Sequence, residues 1–190
     1  MKRIDALKSC PCLDDEFFTH LRLVEPDDAE FIVQLRSDTA LNKHLSHVDG
    51  SVSAQRKWIE QYKAREAQGE EFYFKVRHQL RDLGVVRMYD FQGDSFGWGS
   101  WIILPDRPAG LVTYSAFMIY EMGFDVLGFQ QSHFEVRLQN TKVIDFHDRS
   151  GAIRTTQDTL NQYFIFPKEK WPAFRAASNA QMRSHRIFAG

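Results

Sequence analysis

Two short stretches of this 190-residue chain combine residue types that could do chemistry. The first runs from Leu104 to Tyr114, where a proline-flanked loop holds Arg107, Ala109 and Gly110 and an apolar run begins at Leu111 and Val112. Where a strand passes through such a loop into a long helix, unpaired N–H groups and the positive end of the helix dipole form an anion site. Gly110 would let the backbone approach phosphate oxygens closely, and Arg107 would add a fixed charge. A purely structural arginine and glycine stand beside that reading. The second stretch is Asn140–His147, closed by Ser150-Gly151-Ala152. Asn140 stands where a strand gives way to a helix, a position that suits a cap. His147 lies near that helix's C-terminus, where a surface imidazolium is favoured by the dipole, and it is also a group that titrates near neutral pH.

Other candidates are thinner. Cys10 and Cys12, separated by one proline, cannot supply a four-ligand zinc site and read as a reduced surface pair. Lys and Arg number 24 against 25 Asp and Glu, a net charge of −1, with a pI near 6.7. That balance gives no support to a nucleic-acid or anionic-membrane partner, though a small basic pocket for a phosphorylated cofactor is compatible with it. Met1–Asp15 has no apolar core of a secretory signal, and Leu111–Phe129 carries Glu121 and Asp125. A soluble, cytoplasmic protein is expected.

The elements that must position these groups follow from periodicity. The length favours one domain, and 43% hydrophobic with 14% aromatic residues fits a globular core. Residues 1–19 read as an arm, 20–178 as a single domain and 179–190 as a flexible tail. Leu21–Val24 is a short strand, Ala29–Ser37 a helix opened by Pro26, and a second helix capped by Ser53 ends at Gly69. Phe72–Val76, Leu83–Phe91 and Phe96–Leu104 form an antiparallel meander turning at Arg81-Asp82 and at Gln92-Gly93-Asp94. Leu111–Leu127 is apolar nearly all round, as a helix covered on several sides should be. A strand at His133–Leu138, a helix at Thr141–Arg149, a strand at Gln162–Phe166 and a helix at Lys168–Ala177 complete the chain. The order predicts an α/β (α+β) fold, a mixed sheet with helices on both faces. Tyr89, Phe96, Trp98 and Trp101 are either core or the lining of a pocket.

Taken in order, Arg107-Pro108-Ala109-Gly110-Leu111-Val112 and Asn140-Thr141-Lys142-Val143 followed by His147 resemble the Gcn5-related N-acetyltransferase (GNAT) superfamily over roughly residues 20–167. The first matches the family's pyrophosphate loop, Arg/Gln-x-x-Gly-x-Gly/Ala, with Val112 in place of a small residue. The second matches Asn-x-x-Ala-x-x-x-Tyr, with Val143 for alanine and His147 for tyrosine. The Leu-Arg-Leu opening, helix pair and meander are similar to the branch acting on ribosomal-protein N-termini, aminoglycosides and nucleotide-linked amino sugars. The passage Asn42–Trp58 looks most like the amino-sugar enzymes of surface-polysaccharide synthesis.

The resemblance implies a mostly antiparallel GNAT-like sheet and an acetyl-coenzyme A-dependent N-acetyltransferase acting on a primary amine. It places the cofactor against Ile102, Ile103, Leu104, Arg107, Ala109, Gly110, Leu111, Val112 and Asn140, with the strand-end N–H groups of 102–104 on the acyl carbonyl. His147 would be the general acid for the departing thiolate, as an imidazolium. His44, Tyr89, Trp98 and Trp101 would bind the acceptor. His44, His47, Asp90 and His133 are candidates for the base that takes the amine's proton. A nucleotide-linked amino sugar is the first expectation for the acceptor. A protein N-terminus, an aminoglycoside, or a non-catalytic coenzyme A-binding role are the alternatives, and the chain is expected as a monomer or homodimer.

Overall fold

A computed structural model describes residues 2–41 and 50–184, with the side chains of 179–184 excepted. The expected sites His44 and His47, and the chain beyond Ser184, lie outside the described residues. Among the described residues seven strands form one sheet: β1 (Thr19–Leu23), β2 (Phe72–His78), β3 (Arg81–Gln92), β4 (Ser95–Ile103), β5 (Gln131–Arg137), β6 (Ile153–Gln157) and β7 (Asn161–Pro167). Their spatial order is β1-β2-β3-β4-β5-β7-β6. Every neighbouring pair is antiparallel except β4 and β5.

Among the described residues six α-helices accompany the sheet: α1 (Arg3–Lys8), α2 (Ala29–Ser37), α3 (Val52–Gln68), α4 (Leu111–Glu121), α5 (Thr141–Ser150) and α6 (Trp171–Ser184). On one face α2 and α3 bury Ile32, Leu35, Ile59 and Tyr62 against Tyr73, Val85 and Ile102. The opposite face is larger. There α4 packs Ala116, Met118, Ile119 and Tyr120 against Phe74, Met88, Phe96, Trp98 and Phe134. Because α4 is the crossover between two parallel strands, it lies flat on the sheet under α6, which accounts for its all-round apolarity. No helix among the described residues is long and apolar enough to cross a membrane.

Several local expectations are corrected. The segment expected as an arm holds α1, from one side of which Ile4 and Leu7 reach the larger core with Cys10 and Cys12. Those cysteines are therefore buried rather than a surface pair, and Cys12 Sγ donates to Glu121 Oε2 at 2.9 Å. The cap of α3 is Ser51, whose Oγ accepts from the Ala54 N–H at 3.1 Å. The β2–β3 turn is Gln79-Leu80, because Asp82 is drawn into β3 by ion pairs to Lys75 and Arg77 across the ladder. β6 was not foreseen, since all five of its residues are exposed and no apolar alternation marks it. α6 continues past Ala177 to Ser184, so the expected tail begins as helix.

A candidate acyl-transfer cleft

The sheet opens where its one parallel pair ends. β4 and β5 pair only at Ser95–Gln131, Phe96–Ser132 and Gly97–His133. Beyond that point β4 stays with β3 as far as Ile103 and β5 stays with β7 as far as Arg137. The two strands part, and the inward backbone groups of each lose their ladder partner. A cleft of about 260 Å³ occupies the gap. It passes through the sheet, lined from the α4 face by Trp98, Phe134, Val136, Asn140, Val143 and His147, and from the α2 face by Arg36, Tyr89, Gly99, Glu135, Arg137 and Asn161.

The β4 wall is irregular. Val85 pairs with Ile102 and Arg87 with Gly99, so β4 carries one extra residue there, and Ser100 takes φ 48°. Such a bulge turns backbone groups out of the ladder. Gly99 is fixed by close approach, because a Cβ there would lie 2.9 Å from the Tyr89 hydroxyl. Tyr89 itself is held by the Arg87 guanidinium over its ring at 5.1 Å, and Arg87 is ion-paired to Glu71. Burial pushes the Tyr89 phenol up to about 12, so it is a neutral hydroxyl at the cleft.

His147 closes the α4 side. Its ring is 2% exposed and sits among Phe134, Phe146, Trp98 and Phe164, with centroids at 4.2, 5.2, 5.6 and 5.7 Å. Desolvation in that aromatic cage pushes its pKa down to about 3, while Asp148 opposes the shift weakly. The imidazolium expected from the sequence is therefore corrected to a neutral imidazole. The helix-end surface histidine is corrected as well. Its Nδ1 is buried without a hydrogen-bond partner.

The structure distributes the other expected residues as follows. Tyr89, Trp98, Trp101, Asn140 and His147 all line the cleft. The Asn140 side chain makes no cap hydrogen bond to α5, whose first turn is closed instead by the Asn140 carbonyl, so its amide is left to face the cleft. Phe96 is fully buried core. Of the strand-end donors, Leu104 N–H bonds Leu83 O at 2.8 Å, and Ile102 lies in the α2–α3 core; the cleft meets β4 at Gly99–Trp101 instead. Arg107 is exposed and donates to Leu104 O at 2.8 Å, closing the loop on itself. Gly110, at φ 84°, is the residue from which α4 starts, with Ala109, Leu111 and Val112 around it. Asp90 and His133 are brought together at 3.1 Å.

Sequence reasoning missed Arg36, Ser100, Glu135, Arg137 and Asn161. The alternation of β5 could have found two of them, since buried Ser132, Phe134 and Val136 put His133, Glu135 and Arg137 on the other face.

These features fit a long, thin, anionic thioester. The unpaired edges of β4 and β5 offer amide partners, the neutral, aromatic wall at His147 suits an uncharged acyl end, and the start of α4 at Gly110 offers backbone N–H groups.

Comparison with known proteins agrees with that geometry. An acetyltransferase (GNAT) domain profile matches residues 19–153. Among solved structures, apo FdhC, a nucleotide-linked sugar GNAT, is 42% identical with a TM-score of 0.76, covering 91% of this chain and 96% of that one. A spermidine N-acetyltransferase from Vibrio cholerae in complex with CoA and spermine shares the fold at 16% identity, with a TM-score of 0.72 and coverage of 82% and 98%. No curated protein matches the sequence.

Proposed function

The chain belongs to the GNAT acetyltransferases, and we propose that it moves an acetyl group from acetyl-coenzyme A to the amino group of a nucleotide-linked sugar. The observation that carries this reading is the charge of the cleft's α2 face. Among the described lining residues of that face, Arg137 stands beside Arg36 with one carboxylate, Glu135. A polyamine would meet the like charge of Arg137, whereas the diphosphate of a nucleotide-linked sugar would meet an opposite one. FdhC, similar at 42% identity, is described as acting in that substrate class, while the spermidine enzymes share only the fold.

Acetyl-coenzyme A, when bound, supplies the acyl group as an activated thioester. The residues fitted to hold it are Gly99–Trp101 on β4, Gly110 and Arg107 at the start of α4, and Asn140 on the opposite wall. Glu135, exposed on β5, accepts the proton of the incoming ammonium at a carboxylate oxygen, freeing the nitrogen lone pair. Tyr89, neutral at the cleft mouth, orients the sugar through its hydroxyl. His147, kept neutral by its cage of Trp98, Phe134 and Phe164, would donate one ring N–H toward the departing sulfur. A neutral imidazole cannot complete the protonation by itself, so the thiolate's proton arrives from solvent.

The test is thiol release from acetyl-coenzyme A against a panel of amines. Release that depends on a nucleotide-linked amino sugar supports the reading. Binding of the cofactor without turnover on any amine favours the non-catalytic alternative.

A further inference from the structure

α4 is apolar nearly all round, yet Ser115 stands in its second turn and is fully buried. The direction of its hydrogen bonds is fixed by chemistry. The Trp101 indole Nε1–H can only donate, and it lies 3.0 Å from Ser115 Oγ, so the serine oxygen accepts there. The hydroxyl gives its own hydrogen to Val112 O at 2.8 Å. Alanine would suit the helix better, because a serine bonded back to its own turn slightly weakens it. The indole is the partner that α4 itself does not supply.

Trp101 reaches Ser115 because β4 changes face. In a regular strand Trp98, Ser100 and Ile102 would share one side. The extra residue between Gly99 and Ile102, with Ser100 at φ 48°, shifts that alternation by one. Trp98, Trp101 and Ile103 therefore pack on the α4 face, while Ile102 joins the α2–α3 core. A left-handed residue other than glycine persists only where its surroundings hold it. On the α2 face the hold is Ile102, buried with Val85. On the α4 face it is Trp101, whose ring lies 5.2 Å from Trp98 and 5.4 Å from Phe146 between centroids and is tied by its N–H to Ser115.

The bond joins two parts of the site. Trp101 ends the stretch Gly99–Trp101 at which the cleft meets β4, and its ring is 6.4 Å from that of His147. Val112 is the second residue of α4, two after Gly110. Indole to hydroxyl to carbonyl, one chain of hydrogen bonds runs from the cleft wall to the first turn of α4.

We propose that Ser115 is a positioning residue for the transfer. Through the Trp101 indole it holds the bulged wall of β4 against the first turn of α4, so that the thioester and phosphate ends of the cofactor are gripped at a fixed separation. The role rests on the acyl-transfer reading of the cleft. Ser115, fully buried, touches neither cofactor nor acceptor, and its effect passes through Trp101. Without its oxygen the indole N–H loses its partner and the bulge its anchor on the α4 face. The hold on acetyl-coenzyme A weakens, while Tyr89, Glu135 and Arg137 on the opposite face stay in place.

The experiment is a double-mutant cycle in amine-dependent thiol release, using wild type, Ser115→Ala, Trp101→Phe and the double variant, with a melting curve for each. Ser115→Ala should lower kcat/KM for acetyl-coenzyme A about tenfold, carried mainly by KM, with the acceptor KM near its original value. Trp101→Phe keeps a ring but has no N–H, and adding Ser115→Ala to it should cost nothing further. A merely structural serine would lower the melting temperature in both backgrounds and leave the KM for acetyl-coenzyme A unchanged. That pattern, or losses that multiply in the double variant, overturns the proposal alone. If Ser115→Ala does not fold, Trp101→Phe decides: a raised KM for acetyl-coenzyme A supports the role and a wild-type KM overturns it. Wild type that releases no thiol with any amine overturns the acyl-transfer reading and this role with it.

Discussion

The imidazole of His147, on α5, and the ring of Phe134, on β5, lie 4.2 Å apart between centroids, the shortest of the aromatic contacts that bury the imidazole in the cleft wall. Tyrosine at this place in the family would offer a neutral phenol. Burial makes the histidine neutral too, so the change of residue type preserves an uncharged donor.

The first prediction is a pH-dependent stability. The folded pKa of His147 is about 3, against about 6.5 in the unfolded chain, so the unfolded state binds the proton first. Its contribution is flat above about pH 6.5 and is lost as pH falls toward 3, by up to about 1.4 kcal/mol per pH unit. In His147→Phe that slope should disappear. Urea unfolding at about pH 7 and pH 5.5 should show wild type losing about 1 kcal/mol more than the variant. Equal losses would mean the ring is protonated in the folded protein.

The second prediction concerns Glu135. Glu135→Gln removes the proton acceptor but keeps its shape, and should lower kcat about 10²–10⁴-fold while the protein melts normally. Stopped reactions analysed for acetylated product would measure this. A variant within threefold of wild type, roughly 0.7 kcal/mol, would assign the base elsewhere.

The third prediction concerns the start of α4. Gly110 sits at φ 84°, so Gly110→Val is strained whatever the space and places a branched side chain where backbone must approach phosphate. Coenzyme A affinity by calorimetry should fall more than it does for Arg107→Ala. The arginine change, which breaks the bond to Leu104 O and removes an exposed charge, should cost about 1–3 kcal/mol of binding. A folded Gly110→Val that binds normally would move the phosphate site elsewhere.

The fourth prediction concerns the acceptor charge. Arg137→Ala should raise KM for an anionic acceptor and flatten its salt dependence, with kcat less affected. Steady-state kinetics at two ionic strengths would read it. An unchanged KM would remove Arg137 from acceptor recognition.

How much of this was legible in the sequence depends on whether a feature is local. Gly110 before an apolar helix and Asn140 before an amphipathic one announce themselves by spacing, and both are where the structure starts α4 and α5. The alternation along β5 carries Glu135 and Arg137 as well, though only once the strand's buried face is known. The cleft itself is not local. It exists because β4 follows β3 and β5 follows β7 after Gly97–His133, a divergence that no residue in either strand encodes alone. His147 shows the same limit. Its spacing from Asn140 is readable, but its protonation depends on Trp98, Phe134 and Phe164, which arrive from three different strands. β6 was invisible because five exposed residues leave no apolar pattern.

The most direct measurement of the central claim is a competition. The protein is incubated with acetyl-coenzyme A and equal amounts of a nucleotide-linked amino sugar and spermidine, and the products are weighed by mass spectrometry. Arg137 on the α2 face predicts that the sugar gains one acetyl group and spermidine none, with Arg137→Ala narrowing the preference. Acetylation of spermidine in preference to the sugar, or of neither, would contradict the account.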